Sequence, residues 1–198
     1  VGEVFQDIDS QMVSSVVEDE ILFGMENFGV PHEEIGRRLQ QTLSLLGIEE
    51  LRRRQINSLS GGQKQKVAIA AILAMRPDVI LLDEPTGELD PESSVMIFEL
   101  LKTLNREFHK TVVVVEQKIM LLCSYVDRII LMENGHIAFD GPTAAVAGEA
   151  DLVRAQGIII PRVTELGEKL TGMELYHGAL PLTLDGGEKM VREVLADA

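Results

Sequence analysis

The chain has 198 residues, 45% hydrophobic and 25% charged, enough for one globular domain with a sizeable core or for two thin subdomains. A formal charge of −14 argues against a nucleic-acid partner, because binding a phosphate backbone needs clustered Lys and Arg. The single cysteine, Cys123, excludes an internal disulfide or zinc-thiolate cluster, and no run approaches the roughly 20 apolar residues of a membrane-spanning helix, so a soluble, cytoplasmic chain is expected.

Val1 to Phe5 is a short apolar stretch that reads as a strand entered without a preceding turn. Ser15 and Glu18 have capping-box spacing, and Val17, Ile21, Leu22, Met25 and Phe28 follow at helical intervals up to Gly29. A second helix is predicted from Pro31, with Ile35, Leu39, Leu43 and Leu46 on one face and Gly47 at the left-handed cap position. The two amphipathic helices should pack together. Beyond a basic link at Arg52 to Arg54, a third helix runs from about Ser60 to Met75, with Val67 to Ala74 nearly all apolar.

Val79 to Leu82 and Thr111 to Val115 are continuous apolar runs, as expected of parallel strands covered on both faces. Between them Asp90 is placed to cap a helix with Pro91 at its first position and Val95, Phe98 and Leu101 facing inward. Strand, helix, strand in this order implies a parallel α/β sheet. Arg128 to Met132 and His136 to Phe139 flank Asn134-Gly135, a hairpin-turn pair. Past Gly141 the pattern breaks into short helices punctuated by glycine and proline.

Four apolar residues followed by Asp83 and Glu84 form a Walker B pattern, in which a buried strand delivers two carboxylates at its C-terminal end. In that reading Asp83 binds the Mg²⁺ of a nucleotide and Glu84 serves the attacking water as general base or orienting group. A solvated acidic strand end is the alternative. Leu59-Ser60-Gly61-Gly62-Gln63 is more specific: two glycines at the head of a long helix imply close approach by another group, and a helix start with open N–H groups and a serine hydroxyl suits an anion. An ordinary glycine turn is the alternative there.

Together these residues resemble the ATP-binding-cassette (ABC) ATPases. Leu59 to Gln63 is similar to their signature motif, Asp83-Glu84-Pro85 with Leu89-Asp90 to their Walker B and D-loop, and Gln6 to their Q-loop glutamine. The resemblance runs in order over residues 1–145. Phe5-Gln6-Asp7 with Asp9 and Gln11, Val17-Glu18-Asp19-Glu20, Phe23-Gly24, Gln63 to Ala71 and Pro161 to Leu166 are similar to the energy-coupling-factor and cobalt-type group, although Ile8 stands where that group usually has proline.

The resemblance implies an α/β P-loop NTPase fold of the ABC type: an incomplete RecA-like parallel sheet with an ABC-specific helical subdomain. It divides the chain into a Q-loop strand (1–9), a helical subdomain ending in the signature helix (10–75), a core part (76–145) and a C-terminal extension (146–198). It implies ATP and Mg²⁺ as ligands, with Gln6 and Asp83 toward the metal, Ser60, Gly61, Gly62, Gln63 and Asp90 toward nucleotide, and Glu84 and Gln117 in catalysis. The implied setting is peripheral, at the cytoplasmic face of a membrane. Its partners would be a second ATPase, a transmembrane coupling subunit and a substrate-capture subunit, powering uptake of a vitamin or transition-metal ion.

Two departures matter. The sequence has no Gly-x-x-x-x-Gly-Lys-Ser/Thr phosphate loop, and the abrupt start at Val1 leads to the expectation that the chain is N-terminally truncated and inactive alone. Gln117 stands where the family places a histidine, and glutamine carries no titratable proton near neutral pH. The competing readings are a non-transport ABC ATPase of DNA repair or ribosomes, and a non-catalytic interaction protein retaining only the signature half.

Overall fold

The computed structural model describes residues 1–196, arranged as two compact units, one from Val1 to Glu116 and the other from Gln117 onward. The first unit contains three parallel strands in the order β1 (Gly2–Val4), β2 (Val79–Asp83) and β3 (Thr111–Val115), with Gly2 opposite Ile80 and Asp83 opposite Val115. Between β1 and β2 lie four helices, α1 (Ile8–Gln11), α2 (Val17–Asn27), α3 (His32–Leu46) and α4 (Gly61–Ala74). Helix α5 (Pro91–Arg106) carries the chain from β2 to β3.

Periodicity accounts for most of this unit. Ile35, Leu39, Leu43 and Leu46 of α3 are buried, and Gly47 takes the left-handed conformation (φ 60°) whose N–H groups of Gly47 and Ile48 close the last turn. Helices α2 and α3 pack against each other and both against α4, whose apolar half supplies Val67, Ala68, Ile69, Ala70, Leu73 and Ala74 to one continuous core. Val4, Ile80 and Leu82 bring the sheet into that core, and Ile97, Leu101 and Leu104 of α5 complete it.

Four expectations are corrected. The capping box at Ser15 and Glu18 does not form: Val16 occupies the N-cap position of α2, and the Glu18 carboxylate turns to Arg52 Nη2 (2.5 Å) and Arg53 Nη1 (2.8 Å). An ion pair outweighs a local cap once the 52–56 segment lies against residues 15–18, which it does through Val17 N–H to Arg54 O, Glu18 N–H to Arg52 O and Ile56 N–H to Ser15 O. Through these bonds the 52–54 stretch clasps the start of α2. On α5 the inward face is Ser94, Ile97, Phe98, Leu101 and Leu104, while Val95 is exposed, one position off the apolar stripe. Phe28 lies past the end of α2 and is 79% exposed.

The fourth correction concerns β3. Its Val112 and Val114 pack on the core, but Val113 and Val115 on the opposite face are about half exposed, 46% and 52%. The strand has the composition of a doubly covered one, yet among the described residues helices cover one face of the sheet.

The second unit contains α6 (Ile119–Tyr125), the antiparallel pair β4 (Arg128–Glu133) and β5 (His136–Pro142), a 3₁₀ stretch (Thr143–Glu149), and helices α7 (Ala150–Ala155), α8 (Arg162–Gly172) and α9 (Leu184–Ala196). Asn134 and Gly135, both at positive φ (47° and 80°), make the two-residue turn that their sequence predicts. A small core of Ile119, Cys123, Ile129, Val146, Ala150, Val153 and Ile160 holds this unit.

Candidate active site

Strand β2 ends in Asp83, half-buried, and the next residue, Glu84, adopts a left-handed backbone with φ 43°. A residue with a Cβ is uncommon there and persists only where its surroundings hold it. The Glu84 N–H donates to Val115 O at 2.9 Å, which extends the β2–β3 ladder by one step. Its carbonyl accepts from Gly87 N–H at 3.1 Å. The turn that follows aims the Glu84 carboxylate toward the segment after β1, where Gln6 Nε2 donates to Glu84 Oε2 at 2.8 Å.

Asp7, the N-cap residue of α1, accepts from Ser10 N–H and Ser10 Oγ, and these bonds hold its carboxyl below the usual carboxylate range. Asp9 of α1 pairs with Lys64 Nζ of α4 at 2.6 Å. Gln6, Asp7, Asp9, Gly61, Lys64, Gln65, Glu84 and Leu89 thus line one cleft of about 490 Å³. Lys64 and Gln65 are not among the sequence-predicted site residues. Gln65 is 2% exposed, with Nε2 unpartnered among the described residues, and its place between Lys64 and Lys66 in the polar half of α4 gave no signal of burial.

The head of α4 has its own geometry. Ser60 caps the helix: its hydroxyl accepts from Gln63 N–H at 3.4 Å while Gln63 Oε1 accepts from Ser60 N–H at 3.0 Å. The two glycines stand close to their neighbours. A Cβ on Gly61 would stand 3.3 Å from Leu89 Cδ2, and one on Gly62 would stand 3.1 Å from Ser93 Oγ. Within the chain, the expected close approach is made by Leu89 before α5 and by Ser93 in its first turn. Ser60, Gly62, Gln63 and Lys66 also line a shallower groove of about 240 Å³ with Ser93 and Met96.

Asp90 caps α5 as predicted, accepting from Ser93 N–H (2.9 Å) and Ser93 Oγ (2.6 Å), and the Ser93 bonds hold its carboxyl below the usual range. The structure therefore brings Gln6 and Glu84 into direct contact and sets Gly61 on the same cleft. Ser60, Gly62 and Gln63 line the neighbouring groove, and Asp90 is committed to its cap. Gln117 belongs to the second unit.

A carboxylate-tipped parallel strand, a glutamine bonded to that carboxylate, and a Ser-Gly-Gly helix head packed against the next helix define an ABC-type nucleotide-binding domain. The ABC transporter family profile matches residues 1–87. The energy-coupling factor transporter ATP-binding protein EcfA1 of Listeria innocua is 39% identical over 183 residues, covering 92% of this chain and 65% of that protein. Its counterpart in Caldanaerobacter subterraneus is 40% identical over 169 residues, covering 85% and 61%. Among solved structures, CbiO1 of Clostridium perfringens, described as part of the ABC transporter complex CbiONQ, superposes with a TM-score of 0.71 at 36% identity, covering 84% of this chain and 66% of that one.

The matched segment is an ABC transporter ATPase domain, and the chain has the mixed α/β fold of that family. It spans less than two thirds of the length of these curated relatives. No helix among the described residues is long and apolar enough to cross a membrane.

The family implies ATP and Mg²⁺, and the donor chemistry present can be tested against both. Among the described residues no group of three or more His, Cys, Asp or Glu side chains could hold a metal ion. The hard oxygens of Asp83 and Glu84 suit Mg²⁺, but only if most of its shell comes from water and nucleotide phosphates, the usual arrangement for that ion. The residues thus fit a nucleotide-borne Mg²⁺ and not a protein-caged one.

Proposed function

We propose that this chain supplies the Q-loop, signature and Walker B elements of an ATP-hydrolysing subunit in an energy-coupling-factor type importer. The observation that carries the reading is the 2.8 Å bond between Gln6 and Glu84. The β1–β2 register brings the segments after the two strands side by side, and the residues that meet there, an amide and a carboxylate, are the pair needed around an attacking water.

In this reading Glu84 accepts the proton of, or orients, the water that attacks the γ-phosphoryl group, and Gln6 fixes the direction of that carboxylate. Asp83 would hold the Mg²⁺ of the nucleotide, which would supply charge neutralisation at the phosphate oxygens. At the head of α4, Gly61 and Gly62 present N–H groups at the positive end of the helix dipole, and the Ser60–Gln63 bonds keep that end wound. These groups would serve a nucleotide held by a second ATPase subunit, while Gln117 would stand near the nucleotide of its own subunit. A transmembrane coupling subunit and a substrate-capture subunit would complete the importer, carrying a vitamin or transition-metal ion.

The test is steady-state ATPase activity of the subunit assembled with its partners, beside the same assembly carrying Glu84→Gln. Magnesium-dependent hydrolysis that Glu84→Gln lowers by roughly 100-fold, with nucleotide binding retained, supports the reading. An assembly that binds no nucleotide, or hydrolyses it equally with Glu84→Gln, refutes it.

A further inference from the structure

Thr86 is fully buried, and its hydroxyl donates to Glu116 Oε2 at 2.5 Å. A buried hydroxyl needs a partner, and a carboxylate acceptor makes the bond short and strong. The bond has an unusual position. Thr86 is two residues past Glu84, whose backbone is left-handed, and Glu116 is one residue past Val115, whose carbonyl accepts from the Glu84 N–H at 2.9 Å. The ends of β2 and β3 are therefore tied twice beyond the regular ladder, once through backbone and once through side chains.

Both ties fall in the Glu84–Leu89 turn, which is closed by Gly87 N–H to Glu84 O and Leu89 N–H to Thr86 O, both at 3.1 Å. Pro85 fixes one φ inside it. A non-glycine residue at positive φ relaxes toward ordinary backbone unless several contacts oppose it. Thr86 lies inside that turn and is anchored from outside by Glu116.

We propose that Glu116 is a positioning residue which, through Thr86, holds the left-handed turn at Glu84 and so sets where the Glu84 carboxylate points. The proposal rests on the catalytic reading of Glu84 for its consequence in turnover, but not for the clamp itself. Glu116 does not touch the reacting groups; it acts through the backbone.

Four variants in the assembled subunit test this: Thr86→Val and Glu116→Ala, which remove the bond, and Thr86→Ser and Glu116→Gln, which keep a donor or an acceptor. Two readouts are taken. Amide hydrogen exchange at Glu84, Gly87 and Leu89 reports the turn directly, and it should quicken in Thr86→Val and Glu116→Ala while staying near the parent rate in Thr86→Ser. ATP hydrolysis should lose about tenfold in kcat in those two variants with KM for ATP within about twofold, and Thr86→Ser should recover it and Glu116→Gln recover part.

Unchanged exchange in both bond-removing variants overturns the clamp. Faster exchange with unchanged kcat overturns the positioning role. If the parent assembly shows no ATPase activity, the reading of the site fails, and exchange still decides the clamp.

Discussion

Gln6 Nε2 and Glu84 Oε2 are 2.8 Å apart although 78 positions separate the two residues in sequence. The bond constrains one carboxylate oxygen and leaves the direction of the other defined. Glu84→Gln should keep the side chain's size and remove its basicity, so kcat should fall by about 100-fold or more while ATP affinity changes little. Single-turnover hydrolysis and equilibrium binding on the same preparation check this. Gln6→Ala should be milder, about tenfold in kcat, because it removes the group that orients the base and not the base.

Ser60→Arg should abolish most ATPase activity of the assembled complex. The substitution removes the hydroxyl that caps α4, costing about 1 kcal/mol of helix stability, and fills the groove beside Gly62 and Gln63 with a long side chain. Gln117→Ala should change turnover little, since glutamine at that position already lacks a titratable proton. Steady-state rates of the two variants separate the roles, and a large loss from Gln117→Ala beside a small one from Ser60→Arg would reverse them.

The Glu18 clasp predicts a specific acid weakness. The hydrogen bond from Arg52, with the charges of Arg52 and Arg53, holds the Glu18 carboxyl below the usual carboxylate range. A group whose folded-state value is depressed contributes stability that is complete above its unfolded value, about pH 4.3, and is lost as pH falls through the folded value. Asp7 and Asp90, lowered by their serine caps, act in the same direction. Glu18→Gln should cost about 2 kcal/mol near pH 7, because it leaves Arg52 without its buried partner, and the difference from the parent should shrink below pH 4. Urea unfolding at pH 7, 5 and 3.5 checks the sign; a deficit independent of pH would exclude the clasp as its source.

Cys123 should be unreactive in the folded chain. Burial pushes its thiol up to about 11, so almost none is thiolate at pH 8. Iodoacetamide should label it at least tenfold more slowly in buffer than in urea. Equal rates would mean that the core of the second unit opens freely.

Most of the elements were legible because each carried a local signal. Helix α3 shows an apolar stripe and a glycine at its end, α5 an Asp-Pro start, and the β4–β5 turn an Asn-Gly pair. What escaped was set by partners distant in sequence. Glu18 has the spacing of a capping residue, and it is diverted by Arg52, 34 positions on, together with Arg53. Val113 and Val115 have the composition of covered strand residues, but composition does not report which face meets a helix. Motif singles out Gln6 and Glu84, which the structure brings into contact, but not Lys64, Gln65, Thr86 and Glu116: their contacts with Asp9, the cleft and each other cross between elements whose packing no local pattern encodes. The close approach by another group that Gly61 and Gly62 imply is seen within the chain, from Leu89 and Ser93.

The pairing of Gly2 with Ile80 also orders events during synthesis. At about 5–20 residues per second, the ribosome needs several seconds to travel from one strand to the other, ample time for α2, α3 and α4 to wind and collapse locally. Strand β1 must then find β2 across a long closed loop, a slow non-local step. The bond between Gln6 and Glu84 thus forms only after α2, α3 and α4 have been made, and the cleft is assembled beside a helical part that already exists.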